Sequence, residues 1–352
     1  MLTEFSVEQF RSLRSVHLTD LKRINILVGR SGSGKTAILE AIRAGLGATP
    51  AMLWNLTAWR GGIQLGPQGP NNEQFEAIWR PYFFDFDTSE KMVFSFKNTE
   101  GKKAIIRAYF DESAAVTSLP FLQQPPNMVV TPVSPLVFDR TDFEGVHSYA
   151  RAFLNQGQLQ FEQSNEIGVP AELITASNQL NAPQIANWFS SLSVDDNDQE
   201  IIQAITESFP EVYDISVQSP QGVSLIYASL KSQRRKLPIS SVSSGLNKLV
   251  AILVAIRTFS GGVVLIDEVE NGIYFEMFPK LWDSLIKFAE LSKTQVIVTT
   301  HSYECLKSVF NKNWLDSISV YQIHQEDGET KAHFLSGKDA ASAIEIGVGV
   351  RQ

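Results

Sequence analysis

Residues 29–36 have the sequence Gly29-Arg30-Ser31-Gly32-Ser33-Gly34-Lys35-Thr36 and match the pattern G-x-x-x-x-G-K-[ST] at every fixed position. The apolar run Ile24–Val28 before them predicts a buried strand, and the apolar positions after them have helical spacing. A glycine-rich turn between a strand and a helix directs backbone N–H groups at phosphate oxygens. We therefore expect this segment to bind the phosphates of ATP, with Lys35 at the β- and γ-phosphates and Thr36 as a ligand of Mg²⁺.

A second motif, Val263-Val264-Leu265-Ile266-Asp267-Glu268, joins four apolar residues to an acidic pair. The apolar residues predict a central strand, and ligands of open α/β sheets bind at the carboxyl ends of such strands. Asp267 is the expected Walker-B carboxylate that holds Mg²⁺, and Glu268 is the expected general base for the attacking water. Without the glycine-rich motif, the same pair would be an ordinary strand cap.

A third segment, Val242–Lys248, opens the helix predicted ahead of that strand. On its own, Ser-Ser-Gly is an ordinary helix N-cap. In its position, the segment resembles the signature motif of ABC-type ATPases, whose Ser and Gly bind the γ-phosphate of ATP held by the opposite subunit. The resemblance implies ATP contacts for Ser243, Ser244 and Gly245.

The fourth motif is Val298-Thr299-Thr300-His301-Ser302, at the end of another apolar strand. A single histidine after a strand is usually structural, but His301 resembles the switch histidine that contacts the γ-phosphate and the attacking water. The order of the four motifs resembles that of ABC ATPases. RecA-like and AAA+ folds differ, since they have no signature helix ahead of the Walker-B strand. We therefore predict an ATPase with Glu268 and His301 as catalytic residues.

The predicted fold is α/β: an ABC-type P-loop NTPase head with a mixed sheet, an N-terminal antiparallel lobe, a largely parallel core and an inserted helical lobe. Prolines between residues 115 and 140 exclude a long helix there. The segments expected to be helical in the insert are Tyr149–Leu154, Gln184–Leu192 and Glu200–Phe209. The expected divisions of the chain are the N-terminal part of the head (1–115), the insert (116–210) and the C-terminal part of the head (211–352).

The 352 residues carry a formal net charge of −8, and 43% of them are apolar. These values exclude wholesale disorder and disfavour a surface that coats nucleic acid, although a local basic groove stays open. The single cysteine, Cys305, excludes an internal disulfide and fits a reducing compartment. The start has no signal-peptide pattern, and the apolar run Leu249–Ile256 is far shorter than the ~18 residues of a membrane span. We expect a cytoplasmic protein without a membrane partner.

Several blocks of the sequence resemble the overcoming-lysogenization-defect (OLD) family of ABC ATPases, whose members are often called AAA family ATPases. One departure is visible, because family members commonly have His where this chain has Tyr274. The blocks that carry the resemblance are Phe10-Arg11-Ser12, Ile24–Thr36, Leu265–Tyr274, Leu281-Trp282 and Gln295–Cys305.

The resemblance also implies a role. OLD-family ATPases of two-gene anti-phage systems, of the Septu, retron-associated or PARIS kind, form scaffolds that hold or release a separate effector nuclease. By this resemblance, the chain is a sensor and scaffold that forms a dimer or larger homo-oligomer through ATP-sandwich interfaces and responds to a phage protein. The insert is then the docking surface for the effector, or else a plain structural lobe. A nuclease of its own is not expected, because the residues after His301 lack the acidic strands of a TOPRIM domain.

Two other functions stay open. A RecF-type repair ATPase clamps duplex DNA between similar heads and needs a basic face. The only basic cluster more readily forms a solvated hairpin tip; it comprises Lys231, Arg234, Arg235 and Lys236. An energising subunit of a transporter is disfavoured by the long insert and by the Glu270-Asn271-Gly272 block.

Some nucleotide contacts stay open at the level of sequence. ABC ATPases ligate Mg²⁺ with a glutamine between the two lobes, and the candidates here are Gln64, Gln68 and Gln74. Arg11 and Arg30 are candidates for nucleotide contacts or for plain surface charges.

Overall fold

The computed structural model describes residues 1–59, 71–114, 133–155, 157–164, 168–176, 182–310 and 314–346. The strands are, in chain order, β1 (Leu2–Phe10), β2 (Leu13–Leu18), β3 (Ile24–Val28), β4 (Met92–Asn98), β5 (Lys103–Phe110), β6 (Leu136–Thr141), β7 (His147–Asn155), β8 (Gln158–Gln163), β9 (Ala171–Ile174), β10 (Val212–Gln218), β11 (Leu225–Leu230), β12 (Leu237–Pro238), β13 (Val263–Ile266), β14 (Gln295–Thr300), β15 (Ile318–Glu326) and β16 (Glu329–Ser336). The helices are α1 (Lys35–Gly47), α2 (Pro50–Trp59), α3 (Asn72–Trp79), α4 (Ala182–Val194), α5 (Gln199–Ser208), α6 (Ile239–Val242), α7 (Ser244–Thr258), α8 (Phe278–Leu291), α9 (Tyr303–Val309) and α10 (Gly337–Glu345).

An antiparallel sheet of seven strands runs in the order β2-β1-β4-β5-β6-β7-β8. The interpretation of Tyr149–Leu154 as a helix is wrong, because this segment lies in β7 between β6 and β8. Ala150, Ala152 and Leu154 are buried and the residues between them are partly exposed, which is the period-2 alternation of a half-buried strand. The N-terminal antiparallel sheet therefore extends through residue 163.

A second sheet has the strand order β16-β15-β3-β14-β13-β9, in which the five strands from β15 to β9 are parallel. β16 adds an antiparallel edge through the hairpin turn at Asp327 and Gly328. The central strands β3, β13 and β14 are buried at every position, as parallel strands are when both faces of a sheet are covered. A third, smaller sheet has the strand order β10-β11-β12.

Two apolar cores lie on opposite faces of the parallel sheet. Val264 and Ile266 of β13 enter the core formed with α7 and α8, whereas Val263 and Leu265 enter the core shared with α1 and the antiparallel sheet. α1 thus lies between the two sheets, and a Cβ on its Gly45 would come within 2.8 Å of the Phe96 ring of β4. The helix that begins at the glycine-rich loop is therefore held on both sides.

The predicted α/β fold class, with an antiparallel lobe and a largely parallel core, is confirmed. The expected inserted helical lobe is only partly helical, because β6, β7, β8 and β9 of this range belong to the two large sheets while α4 and α5 are helices. The helices expected at Gln184–Leu192 and Glu200–Phe209 are α4 and α5, and they pack in the same core as α7. The division of the chain at residues 115 and 210 remains a prediction. Within the described ranges, no helix combines the length and the hydrophobicity of a membrane-spanning segment.

Candidate nucleotide-binding and hydrolysis site

Three of the four motifs meet at the carboxyl edge of the parallel sheet. The glycine-rich loop follows β3, Asp267 follows β13 and His301 follows β14, and these strands are neighbours in the order β3-β14-β13. A cavity of about 510 Å³ opens between them. This is the edge at which open α/β sheets bind their ligands.

The glycine-rich loop leaves the N-terminus of α1 available to an anion. Gly34 caps this helix with a left-handed φ of 100°, without a side-chain hydrogen bond, and no acidic residue stands in the first turn. By contrast, the N-termini of α7, α9 and α10 are each closed by a serine side chain. The uncapped N–H groups and the helix dipole both favour phosphate at this position.

Lys35 places a buried cation beside the loop. Its Nζ donates to the carbonyl oxygens of Gly29 at 2.9 Å and of Arg30 at 2.8 Å. Burial lowers the pKa of Lys35, and the carboxylates of Asp267, Glu268 and Glu270 oppose that shift. The ammonium group therefore stands between the phosphate-binding loop and a group of acidic side chains.

The other residues predicted to contact phosphate divide into two groups. Ser31, Gly32, Gly34, Lys35 and Thr36 line the cavity, together with Asp267, Glu268 and His301. The remaining three do not line it: Gly29, where an added Cβ would collide with the carbonyl oxygen of Ile323, the exposed Arg30 and the buried Ser33.

Thr36 and Asp267 form a pair of oxygen ligands. The Thr36 hydroxyl donates to both carboxylate oxygens of Asp267, at 3.1 and 3.0 Å, and the Thr299 hydroxyl donates to the first of them at 2.6 Å. Hydroxyl and carboxylate oxygens with room for phosphate and water suit Mg²⁺. Among the described residues, no group of three or more His, Cys, Asp or Glu side chains could hold a metal. Thr36 and Asp267 would hold a metal ion together with a phosphate ligand.

Glu268 and His301 border the cavity on its acidic side. Glu268 has a left-handed φ of 46°, and its backbone N–H donates to the Thr299 hydroxyl at 2.7 Å. Such a conformation in a residue with a side chain is strained and persists because the surroundings fix it. Its Oε1 lies 3.8 Å from Nδ1 of His301. The two side chains are thus held beside the predicted position of the γ-phosphate.

The signature segment lies outside this cavity. Ser243 caps α7 by accepting the N–H of Leu246 at 3.0 Å, and the exposed Ser244 donates its hydroxyl to the carbonyl of Gly272 at 3.0 Å. A Cβ on Gly245 would lie 3.0 Å from the same carbonyl. None of the three lines the cavity formed by the described residues of its own chain. The structure therefore joins this segment to the Glu270–Tyr274 turn and not to the glycine-rich loop.

A protein-family comparison agrees with this arrangement. The family model described as "AAA domain, putative AbiEii toxin, Type IV TA system" matches residues 24–306. The chain belongs to this AAA family. The matched range includes all four motifs, and the chain is accordingly an ATPase of the AAA/ABC type.

The AAA domain is also similar to individual proteins. One is an ATP/GTP phosphatase of Helicobacter pylori, at 21% identity over 360 residues that cover 93% of each chain. Another is the DNA replication and repair protein RecF of Shewanella baltica, at 49% identity over 41 residues, which are 12% of this chain and 11% of RecF. Two solved structures are an Smc head bound to the C-winged helix domain of ScpA (14% identity, 96% and 99% coverage, TM-score 0.48) and the SMC head domain from Thermotoga maritima (13% identity, 95% and 99% coverage, TM-score 0.46).

Other residues that were candidates for nucleotide contacts are engaged elsewhere. Gln74 closes a capping box with Asn71 at the start of α3, whereas Gln64 and Gln68 lie outside the described residues. Arg11 lies 2.9 Å from Glu40 and lines a second cavity of about 380 Å³, which shares Ser12 and Ala37 with the first.

The basic cluster forms the predicted hairpin tip. Lys231, Arg234 and Arg235 are exposed between β11 and β12, and Lys236 lies 3.2 Å from Asp214. Tyr274 is exposed, with its ring centroid 4.6 Å from that of Phe275.

Three residues of the AAA domain were not assigned a role from the sequence. The Thr299 hydroxyl donates to the Asp267 carboxylate and accepts the backbone N–H of Glu268. The Glu270 carboxylate accepts the backbone N–H groups of His301 and Ser302. Lys248 is fully buried on α7 and donates to the carbonyl oxygen of Asp267 at 3.2 Å. One signal was present for Lys248, because a lysine within an otherwise apolar helix needs a polar partner when it is buried.

Proposed function

We propose that this AAA domain hydrolyses ATP at a site completed by a second copy, and that the hydrolysis cycle controls a separately encoded effector. The observation that carries the proposal is the convergence of Thr36 and Asp267 beside a phosphate-binding loop, with Glu268 and His301 on the same cavity. Each of these groups has a use in phosphoryl transfer to water.

The side chains divide the chemistry between them. The N–H groups at the start of α1 and the Lys35 ammonium bind the phosphates. Glu268 accepts a proton from the attacking water, whose oxygen bonds to the γ-phosphorus as the bond to the β-phosphate oxygen breaks, giving ADP and phosphate. His301 donates a hydrogen bond to the γ-phosphate oxygens. Thr36 and Asp267 would hold Mg²⁺, which would supply positive charge to offset the charge of the phosphates.

The position of the signature segment supports a site shared between two copies. Ser244 is exposed and lies outside the cavity of its own chain, so a γ-phosphate can meet it only on another molecule. The positive end of the α7 helix dipole would then add to that of α1. We infer that ATP binds between the loop of one copy and the signature segment of the other.

Mixing two defective variants tests this arrangement. Lys35→Ala removes the phosphate cation and leaves the signature segment intact. Ser244→Glu places a carboxylate at the α7 N-terminus, where the dipole favours it but a phosphate is repelled. Each variant alone should be inactive with ATP and with GTP, whereas a mixture should regain part of the phosphate release. Activity of Ser244→Glu alone, or no gain on mixing, would show that the site does not need a second copy.

The proposed cellular role is that of a sensor and scaffold in prokaryotic anti-phage defence, with a nuclease as the effector. It is supported by the OLD-family resemblance and by the family description, which refers to an AbiEii toxin and a type IV TA system. Mass photometry with and without Mg·ATP, alone and with the product of the adjacent gene, tests it. A stable assembly that captures the neighbouring protein supports this role, and the absence of capture in both conditions contradicts it.

A DNA-clamping function is the second candidate. The similarity to the DNA replication and repair protein RecF and the exposed Lys231, Arg234 and Arg235 favour it. Its test is the ATP-dependent mobility shift of duplex DNA, with the triple alanine variant of these three residues as the control. A shift that the triple variant loses would favour the clamp over the scaffold.

A further inference from the structure

Two carboxylates that are two positions apart lie in different environments. Glu268 borders the cavity with 39% of its side chain exposed, whereas the side chain of Glu270 is only 7% exposed. Glu270 does not line the cavity, so it is not a direct contact for the nucleotide. Burying a carboxylate costs free energy unless other groups compensate its charge, so the groups around Glu270 indicate its role.

One oxygen of Glu270 makes the close polar contacts of this side chain with the described residues. Oε1 accepts the backbone N–H groups of His301 at 2.8 Å and Ser302 at 3.0 Å, and it lies 3.2 Å from Nδ1 of the His301 ring. Oε2 is buried without a hydrogen-bond partner among the described residues. The carboxylate therefore contacts His301 through both its backbone and its ring, and it contacts Ser302 through the backbone alone.

We infer that Glu270 is the positioning residue for His301, an inference that rests on the proposed hydrolysis of ATP. When both ring nitrogens of His301 carry a proton, Nδ1–H is donated to Glu270 and the ring presents Nε2–H to the cavity as the donor left for the γ-phosphate. Glu270 Oε1 is also nearer to Nδ1 than Glu268 Oε1 is, at 3.2 Å against 3.8 Å. The contact keeps the imidazole from pairing with Glu268, and the general base stays free to accept a proton from water.

The alternative is that Glu270 only anchors the chain at the start of α9. Its two backbone hydrogen bonds close the turn between β14 and this helix, and a carboxylate near a helix N-terminus is favourable in any protein. The amide oxygen of glutamine can accept the same two N–H groups. Glu270→Gln therefore separates the two roles, because it keeps the anchor and removes the negative charge beside Nδ1.

A double-mutant cycle tests the inference. We expect Glu270→Gln to lower kcat by about 10–100-fold with an unchanged KM, since groups that orient a functional histidine have effects of that order. In a His301→Ala background, the same change should have no further effect on kcat, because the ring that it positions is gone. The matched control is Glu276→Gln, which changes an exposed acid just after the Glu270–Tyr274 turn and should keep wild-type kcat. A wild-type kcat for Glu270→Gln, or an equal loss in both backgrounds, would overturn the inference.

A measurement on the unmutated protein covers the case in which Glu270→Gln does not fold. Long-range ¹⁵N–¹H spectra report which ring nitrogen of a histidine carries a proton, and His301→Ala assigns the signal. A proton on Nδ1 of His301 supports the inference, whereas an unprotonated Nδ1 refutes it. Neither result depends on turnover, and absence of ATP hydrolysis in the wild-type protein would contradict the proposed function separately.

Discussion

Thr36 and Asp267 are 231 positions apart in the chain, yet the Thr36 hydroxyl donates to both carboxylate oxygens of Asp267, at 3.1 and 3.0 Å. The contact joins the first turn of α1 to the carboxyl end of β13, across the buried strand β14 that separates β13 from β3. A pair of oxygen ligands is thereby in place at the N-terminus of the phosphate-binding helix. We expect the metal preference of the site to follow from this pair.

Asp267→Asn should weaken the Mg²⁺-dependent part of nucleotide affinity. The amide still accepts the Thr36 and Thr299 hydroxyl groups but has no negative charge for the cation. The loss should be at least the roughly 10–100-fold seen when outer partners of metal ligands are removed. Titration of a fluorescent ATP analogue in Mg²⁺ and in EDTA measures the affinity with and without the metal ion. The control is Asp316→Asn, which removes the charge of an exposed acid. Equal losses in Mg²⁺ and in EDTA would show that Asp267 does not act through a metal.

Lys35→Ala should abolish detectable ATP binding, because the loop loses the cation that faces the β- and γ-phosphates. The substitution also removes the hydrogen bonds to the carbonyls of Gly29 and Arg30, so the thermal midpoint should be compared with that of the unmutated protein. Calorimetric titration with Mg·ATP measures the affinity. Lys338→Ala, at an exposed ion pair with Asp316, is the matched control. Unchanged affinity in a folded Lys35→Ala variant would remove the loop from the site.

Glu268→Gln should retain ATP while turnover falls by about 10²–10⁴-fold, the usual contribution of a general base. The ligands of Mg²⁺ remain, so ATP should accumulate between two copies and stabilise the dimer. Phosphate release and mass photometry with Mg·ATP measure the two effects on the same sample. Normal turnover in this variant would assign the base to another group.

The meeting of the glycine-rich loop and the acidic pair at the candidate site could be predicted from the sequence, whereas part of the peripheral fold could not. The glycine-rich loop and the acidic pair are local patterns, and parallel strands bring their carboxyl ends together without further information. Tyr149–Leu154 was misassigned because alanine, arginine and leucine favour helices, whereas the structure pairs this segment with β6 and β8. Strand pairing of this kind depends on partners elsewhere in the chain and overrides local propensity.

The supporting contacts of the site were beyond the sequence for a different reason. Glu268 and Glu270 stand in one acidic block, and only the left-handed φ of 46° at Glu268, with the turn after it, determines that one carboxylate borders the cavity and the other is buried. The spacing of Glu268 and Glu270 in the sequence does not show in which direction each side chain points. The same holds for Lys248, whose partners are carbonyl oxygens at the ends of two strands.

Lys248 links α7 to the carboxyl ends of β13 and β9. Its Nζ donates to the carbonyl oxygens of Asp267 at 3.2 Å and Thr175 at 3.4 Å. Burial lowers the pKa of Lys248 from 10.5 to about 8, and the nearby carboxylates oppose the shift without cancelling it. The folded protein therefore releases this proton at a lower pH than the unfolded chain does.

The stability of the protein should show this difference in mildly alkaline solution. Between about pH 8 and 10.5 the unfolded chain holds a proton on Lys248 that the folded protein has lost, so this residue makes the free energy of unfolding rise with pH, by at most about 1.4 kcal/mol per pH unit. Lys248→Met removes the titrating group, and its unfolding free energy should lack that rise. Urea unfolding in EDTA at several values in this window compares the two proteins, with Lys338→Met as the exposed control. Parallel pH profiles for the wild type and Lys248→Met would mean that Lys248 titrates at the ordinary value despite its burial.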